Sequence, residues 1–440
     1  MDSLIYFLYA LVGILMGSAL SILPGLHIYS IAAIGVFLMV SFPSVDPLGM
    51  TMVFTGMLVA YAIVNAITAT FMGATDDSLR YMLFPSQKYL MAGRGYEASI
   101  IGGMGALGAM MILLLIAPIA SYIFPIFRKL TTPHMPWMLM GCVAYLLQAE
   151  WPKDWGSRAK TRFGRLKDGW ASLSAGWLVF FLSMMMGFVL LNMPVTSIDK
   201  AMQGMIMPAF SGFVAVPWVL TNAVARFKVP PQIIKNTFYV SKKDMIRGTT
   251  AGFLGGMFSA HEPMISAGVG GLLAGHATAT SGDIQFMVSG SAARFTYYVG
   301  AFFFLWVPFF HLIRKGLANI TVTVFSPRTE SEFWLFVAVV AVSAVIAFFF
   351  LLLFSRFISK IIPRYNYRKV SLGVLAVIVI LVLYFSGWTG LVIMTIASGI
   401  GLTQIMFRTR WANIMVGFFF PIMLSMAGLS APIVKMLGIY

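Results

Sequence analysis

Gly13-Ile-Leu-Met-Gly17-Ser-Ala-Leu-Ser-Ile-Leu-Pro24 and Gly252-Phe-Leu-Gly-Gly256-Met-Phe-Ser-Ala-His261-Glu262-Pro263 share one skeleton, 239 residues apart. Each sets two glycines four residues apart and a proline seven residues beyond the second. Both runs lie inside long apolar stretches. A helix in lipid is interrupted by proline and polar side chains only where other parts of the protein satisfy the freed backbone. Two interruptions at matching places imply two related halves whose broken helices meet at a central site, a pattern of secondary transporters.

The rest of the chain agrees with a membrane setting. It has 440 residues, 60% hydrophobic and 10% charged, with mean hydropathy +0.89. That excludes a soluble globular domain and requires an all-α polytopic membrane protein. A single cysteine, Cys142, makes no internal disulfide and reads as a small packing residue. The start, Met1-Asp2-Ser3, has no basic n-region, so the first apolar run is expected to be a retained helix. The net charge of +16 gathers in Lys153–Lys167, Arg226–Arg247, Arg356–Lys369, and Arg408 with Arg410. Short basic loops of this kind mark the cytoplasmic side and meet anionic lipid headgroups; no feature supports a nucleic-acid role.

Apolar runs predict about 12–14 helical segments, near 4–23, 27–43, 49–72, 98–124, 135–149, 170–192, 203–225, 247–261, 264–280, 284–312, 333–355, 370–386, 388–405 and 411–430. With the basic loops inside, 247–280 starts and ends inside and 4–43 starts and ends outside. Each is then a re-entrant hairpin or a double crossing. The two enter from opposite faces, as inverted-topology repeats require. Four blocks follow: 1–169 as a first repeat, 170–246 as connecting helices, 247–369 as the inverted repeat, and 370–440 as C-terminal helices. Arg128, Lys129, Arg314 and Lys315 fall outside in this scheme, against the charge rule.

Four stretches resemble one family. Gly17 through Leu23-Pro24-Gly25-Leu26-His27 looks like the Pro-Gly-Leu signature of the large membrane subunit of tripartite tricarboxylate transporters, and its Leu-His ending looks like the archaeal-type branch. Gly73-Ala-Thr-Asp76-Asp77-Ser-Leu-Arg80, with Phe84-Pro85 and Gly93-Arg94-Gly95-Tyr96-Glu97-Ala98, is similar to that branch's next segment. Pro208-Ala-Phe-Ser-Gly212-Phe213 resembles the middle segment, and Gly252 to Pro263 the second Pro-Gly signature, with His261-Glu262-Pro263-Met264 standing where Pro-Gly is expected. The resemblance implies a helical permease with inverted repeats that imports small organic anions on an ion gradient. It also implies help from a small membrane subunit and an extracytoplasmic binding protein. A prokaryotic plasma membrane is the expected location, and a homodimer is an allowed assembly.

Glu262 is the sharpest chemical signal. A carboxylate at membrane depth costs ~3 kcal/mol or more on insertion scales, so it faces a partner or a wet cavity. It reads as a proton-accepting or cation-holding group; the plainer reading is a structural ion pair or a tip reaching the headgroups. Arg294, in Ser289-Gly-Ser-Ala-Ala-Arg294-Phe-Thr296, presents a planar fork suited to a substrate carboxylate. Its plainer readings are a fixed bridge to Glu262 or Asp283, or snorkelling. His27 and His261 sit at the two breaks as proton relays or helix–helix hydrogen-bonding residues. Asn65, Thr68 and Thr70 line one stretch before Gly73, either as interhelical bonds or as a path lining. The substrate-binding set is thus Pro24, Gly25, His27, Asn65, Ser266 and Arg294, with backbone at Pro263 helping. The ion-coupling set is Glu262, His261, Asp76 and Asp77; the plain reading of the two aspartates is a solvated loop, with Asp77 pairing locally to Arg80. No cofactor is expected beyond H+ or Na+ as coupling ion.

Rival classes are weaker. His261-Glu262 opens like a zinc-protease motif, but Ile265 stands where the second histidine belongs, so no metal site and no enzyme is expected. A carrier or flippase of an anionic polyprenyl lipid would also use an intramembrane arginine. A non-transporting scaffold subunit would hold Glu262 and Arg294 in a closed core. The preferred reading is a secondary transporter of a small organic anion such as a carboxylate, working by alternating access.

Overall fold

The structure, a computed structural model, describes residues 3–22, 44, 46–73, 77–151, 161–192, 206–225, 228–235, 237–262, 265–313, 318, 321–322, 325–364, 366–436 and 438. Among them no strand occurs. A segment in lipid satisfies its backbone internally, and these apolar runs do so as helices. They are α1 (Ser3–Ser21), α2 (Pro47–Val64), α3 (Leu83–Met91), α4 (Gly95–Ile116), α5 (Ala120–Thr131), α6 (Met135–Gln148), α7 (Arg162–Asn192), α8 (Ile206–Phe210) and α9 (Val216–Ala225). Then follow α10 (Lys242–His261), α11 (Ala267–Ala277), α12 (Asp283–Trp306), α13 (Glu330–Ile361), α14 (Tyr367–Phe407), α15 (Ala412–Met426) and α16 (Ser430–Met436). Seven stretches among the described residues are long and apolar enough to cross a membrane, including Pro47–Val64, Gly95–Gln148 and Glu330–Arg364. The chain is an all-α polytopic membrane protein.

Local chemistry sets several ends. Asp46 accepts from the Gly49 N–H at 2.9 Å and Pro47 opens α2, where a missing N–H is harmless. Thr329 and Glu332 form a capping box at α13. Gly387 divides the apolar run of α14 by taking φ 61°, ψ −158°, a conformation only glycine adopts freely. Two features differ from the sequence expectation. The run 49–72 is one predicted helix, but α2 ends at Val64 and the chain resumes as a π-helical turn, Thr68–Met72. The stretch 77–91, expected as loop, forms a 3-10 turn (Asp77–Met82) and α3.

By internal contacts the chain forms two compact units, neither contiguous in sequence. The larger holds residues 1–127, 201–203 and 218–381. Its two central helices, α2 and α12, are buried along almost their whole length. Each is gripped by a glycine-bearing helix. A Cβ at Gly13 or Gly17 of α1 would overlap the carbonyl oxygens of Val53 and Met57 of α2. A Cβ at Gly252 of α10 would overlap the Ser289 oxygen of α12, and one at Gly256 would fall 2.5 Å from that of Ala293. Both glycine runs therefore do one job, bringing helix backbones into direct contact. α4 adds a third such seam, with Gly105 against the backbone of Val288. α13 packs on α2 and α4. An aromatic layer closes the end of α12, where Trp306 stacks on Phe336 with centroids 5.0 Å apart.

The smaller unit holds residues 128–200, 204–217 and 382–440. α7 and α15 meet through Gly187 and Gly417. A second π-helical turn, Ser211–Ala215, seats Gly212 against the Met394 carbonyl of α14. Glu150, buried just past α6, caps the turn that opens α15. Its Oε1 accepts from the Arg410 N–H and, at 2.7 Å, from Asn413 Nδ2. Burial holds this carboxyl above the ordinary carboxylate range, against the pull of those two hydrogen bonds. A carboxyl raised by folding binds its proton more tightly in the native state. Its stability contribution is present below the ordinary glutamate value of about 4.3 and is lost as pH rises through the folded value. Glu150→Gln keeps the acceptor and removes the charge. It is expected to melt at or above the wild-type temperature at pH 7 and to flatten the decline above pH 4.3. Glu150→Leu strands both donors and is expected to cost about 1–3 kcal/mol. Melting curves in detergent at several pH values check this; equal melting of the two variants would contradict it.

Candidate functional site

Arg294 lies on α12 eleven residues after Asp283 and twelve before Trp306, in the middle of a 24-residue helix. At ~1.5 Å per residue it is about 17 Å from either end, beyond the reach of snorkelling. It is fully buried. The fixed bridge to Asp283 is also excluded by that distance, and Asp283 pairs with Lys88 at 2.5 Å instead. The Arg294 guanidinium donates to Asn65 Oδ1 at 2.7 Å and lies 4.5 Å over the Tyr61 ring and 5.6 Å from that of Tyr298. Cation–π contact at desolvated sites is worth up to ~2 kcal/mol, so two aromatic faces help keep the charge at depth.

Asn65 is the residue at which α2 breaks. Its amide Nδ2 donates to the Ser21 carbonyl at 3.3 Å, at the end of α1, and its oxygen takes Arg294. One side chain thus links the end of the first glycine helix to the charge on α12. Past the break, Thr68 donates to the Asn65 carbonyl at 2.8 Å. Carbonyls in the π turn are taken from another element: Gln87 Nε2 of α3 donates to Thr70 at 2.7 Å and Ala69 at 3.3 Å. A π turn of this kind recurs at functional sites.

α10 and α11 form a tight antiparallel hairpin. Ser259 donates to the Ser266 carbonyl at 2.9 Å, Gly255 meets Gly270, and Arg247 donates to the Thr278 carbonyl at 2.9 Å. α11 has 11 residues, about 16 Å long, roughly half the hydrocarbon thickness. The described residues on both sides of the hairpin's tip are buried. At that tip His261, the last residue of α10, and Glu262 are 1% and 0% exposed, with His261 Nδ1 and Glu262 Oε1 3.0 Å apart. Ser266 opens α11 as its N-cap, accepting from the Val269 N–H at 3.4 Å. The negative end of α10 and the positive end of α11 thus flank the His–Glu pair.

Of the residues singled out in the sequence, Arg294 and Asn65 meet directly, His261 and Glu262 meet directly, and Ser266 shares the second tip. Thr68 and Thr70 lie in the buried π turn. Pro24, Gly25, His27, Asp76, Pro263 and the side chain of Asp77 lie outside the described residues. Tyr61, Tyr298, Ser21 and Gln87 were not foreseen. The tyrosines had a signal: Tyr61 precedes Asn65 by four and Tyr298 follows Arg294 by four, so each shares a helix face with its partner.

The family model of the tripartite tricarboxylate transporter TctA family matches residues 7–416. An uncharacterized protein of Methanocaldococcus jannaschii is 23% identical over 435 residues, covering 95% of this chain and 98% of that protein. No solved structure matches the chain. The match takes in both glycine seams and the residues of the described site, and the chain belongs to the tripartite tricarboxylate transporter TctA family.

Proposed function

We propose that this chain is a secondary active transporter that moves a small organic anion, a carboxylate, by alternating access coupled to a gradient of H+ or Na+. The observation that carries the reading is Arg294, fully buried at mid-helix and held by Asn65 and the faces of Tyr61 and Tyr298. A charge at this depth is costly and marks a substrate or ion pathway. A guanidinium matches a carboxylate in a bidentate fork. The hairpin tip supplies the second element: Glu262, with His261 beside it, carries the coupling ion, and the N-terminus of α11 faces the anion. The matching glycine seams of α1 on α2 and α10 on α12 support two inverted repeats, with the breaks moving against a firmer frame of α4 and α13.

The name of the family supports a system of three components. In this reading the chain is the permease, working with a small membrane subunit and an extracytoplasmic binding protein in a prokaryotic plasma membrane. Uptake of radiolabelled mono-, di- and tricarboxylates into proteoliposomes, with and without ion gradients, tests the proposal. Gradient-driven accumulation of at least one carboxylate is expected, and Glu262→Gln is expected to lose it. Equal gradient dependence in wild type and Glu262→Gln would overturn the coupling role.

A further inference from the structure

The coupling ion can be argued from the atoms at the hairpin tip. An ionised carboxylate only accepts hydrogen bonds, so with Glu262 ionised and His261 neutral their 3.0 Å contact puts the ring proton on Nδ1. The lone pair of Nε2 is then open, and Nε2 has no hydrogen-bond partner among the described residues. The rings of Phe127 at 5.0 Å and Phe304 at 6.3 Å stand edge-on to the imidazole. A buried polar atom without a partner is unfavourable, so its presence beside the His–Glu contact calls for a purpose. An imidazole nitrogen with an open lone pair accepts a proton.

We propose that the coupling ion is a proton, carried by His261 and Glu262 as one unit and exchanged at His261 Nε2. The inference rests on the transporter reading above. The step is a proton transfer alone. Nε2 takes H+ from hydronium on one side of the membrane, leaving water and forming one N–H bond, while Nδ1–H stays on Glu262. No electrons move, and release to water on the other side reverses the step. The unit passes from a charge of −1 to a neutral imidazolium–carboxylate pair. A buried net charge is strongly unfavourable, so loading changes which packing of the tip is favoured.

Other charged groups on the helices packed around the tip are engaged or stand away from it. Of the charges on helices packed against α10, Asp283 pairs with Lys88, Glu97 of α4 pairs with Arg94, and His276 lies at the far end of α11. The charges of α10 itself, Lys242, Lys243, Asp244 and Arg247, stand at its opposite end. Tyr298 of α12 is engaged with Arg294. Arg294 of α12 donates to Asn65 Oδ1.

The full chain in proteoliposomes tests this. Carboxylate exchange without any ion gradient is measured first, then accumulation driven by a pH gradient alone and by a Na+ gradient alone, with pyranine trapped inside. The wild type is expected to exchange, to accumulate on the pH gradient but not the Na+ gradient, and to acidify the lumen as substrate enters. His261→Gln is expected to lose pH-driven accumulation at least ten-fold. Accumulation on Na+ alone, entry without acidification, or full pH-driven accumulation in His261→Gln would overturn the proton unit while leaving the transporter reading intact. Absence of exchange in the wild type would overturn the transporter reading and the proton unit together. The pyranine signal needs no variant, so misfolding of His261→Gln leaves the proposal open to refutation.

Discussion

Arg294→Gln is expected to abolish carboxylate binding and transport while leaving a folded protein. Removing one partner of a buried, hydrogen-bonded charge pair costs about 2–5 kcal/mol, or roughly 30- to 5,000-fold in affinity. Glutamine still donates to Asn65 Oδ1, so the link from Asn65 to Ser21 survives. Arg294→Lys is expected to rescue little. A lysine ammonium offers a point charge without the fork, and it cannot lie flat on the Tyr61 ring as the guanidinium does at 4.5 Å. Equilibrium binding of the transported carboxylate by calorimetry, alongside melting curves, separates loss of binding from loss of fold. Near wild-type affinity in Arg294→Gln would remove the arginine from the site.

The glycine seams should give the largest effects on stability. Gly17→Val and Gly256→Val each push a branched side chain into a backbone carbonyl of the facing helix, Met57 in one case and Ala293 in the other. Neither carbonyl can move without unseating its helix. Overpacking costs typically 1–3 kcal/mol where side chains can yield, and more is expected here. Gly399→Val is the control, because a Cβ there meets nothing within 4 Å. Thermal melting in one detergent compares the three. The seam variants are expected to melt well below wild type or fail to fold, and the control to stay near it. Equal melting of all three would mean that the seams are not tight contacts.

Much of this was legible in the residues. The two glycine runs stood out as a matched pair, and both proved to be seams of the same kind, against α2 and α12. Arg294 and Glu262 stood out because a charge in an apolar run has few explanations. Positions in three dimensions were harder to read. The π turn at Thr68–Met72 leaves no periodic trace, because the apolar run continues through it. α3 is nine residues long and carries Pro85, Gln87 and Lys88, so it reads as loop until packing against α4 supplies what its short length lacks. Gln87 matters through two carbonyls seventeen and eighteen residues away, a relation that no local pattern encodes. The bridge from Arg294 to Asp283 failed on helix geometry alone: at eleven residues' separation the two cannot meet.

The most direct measurement is carboxylate counterflow. Purified wild-type chain is reconstituted in liposomes preloaded with unlabelled carboxylate, with no ion gradient, and entry of the labelled compound is followed against Arg294→Gln. Labelled substrate is predicted to enter the wild-type vesicles transiently above equilibrium and to enter the variant vesicles no faster than empty liposomes. Entry into wild-type vesicles no faster than into empty liposomes for every carboxylate tested, or equal counterflow in Arg294→Gln, would contradict a transporter that holds its anion on this arginine.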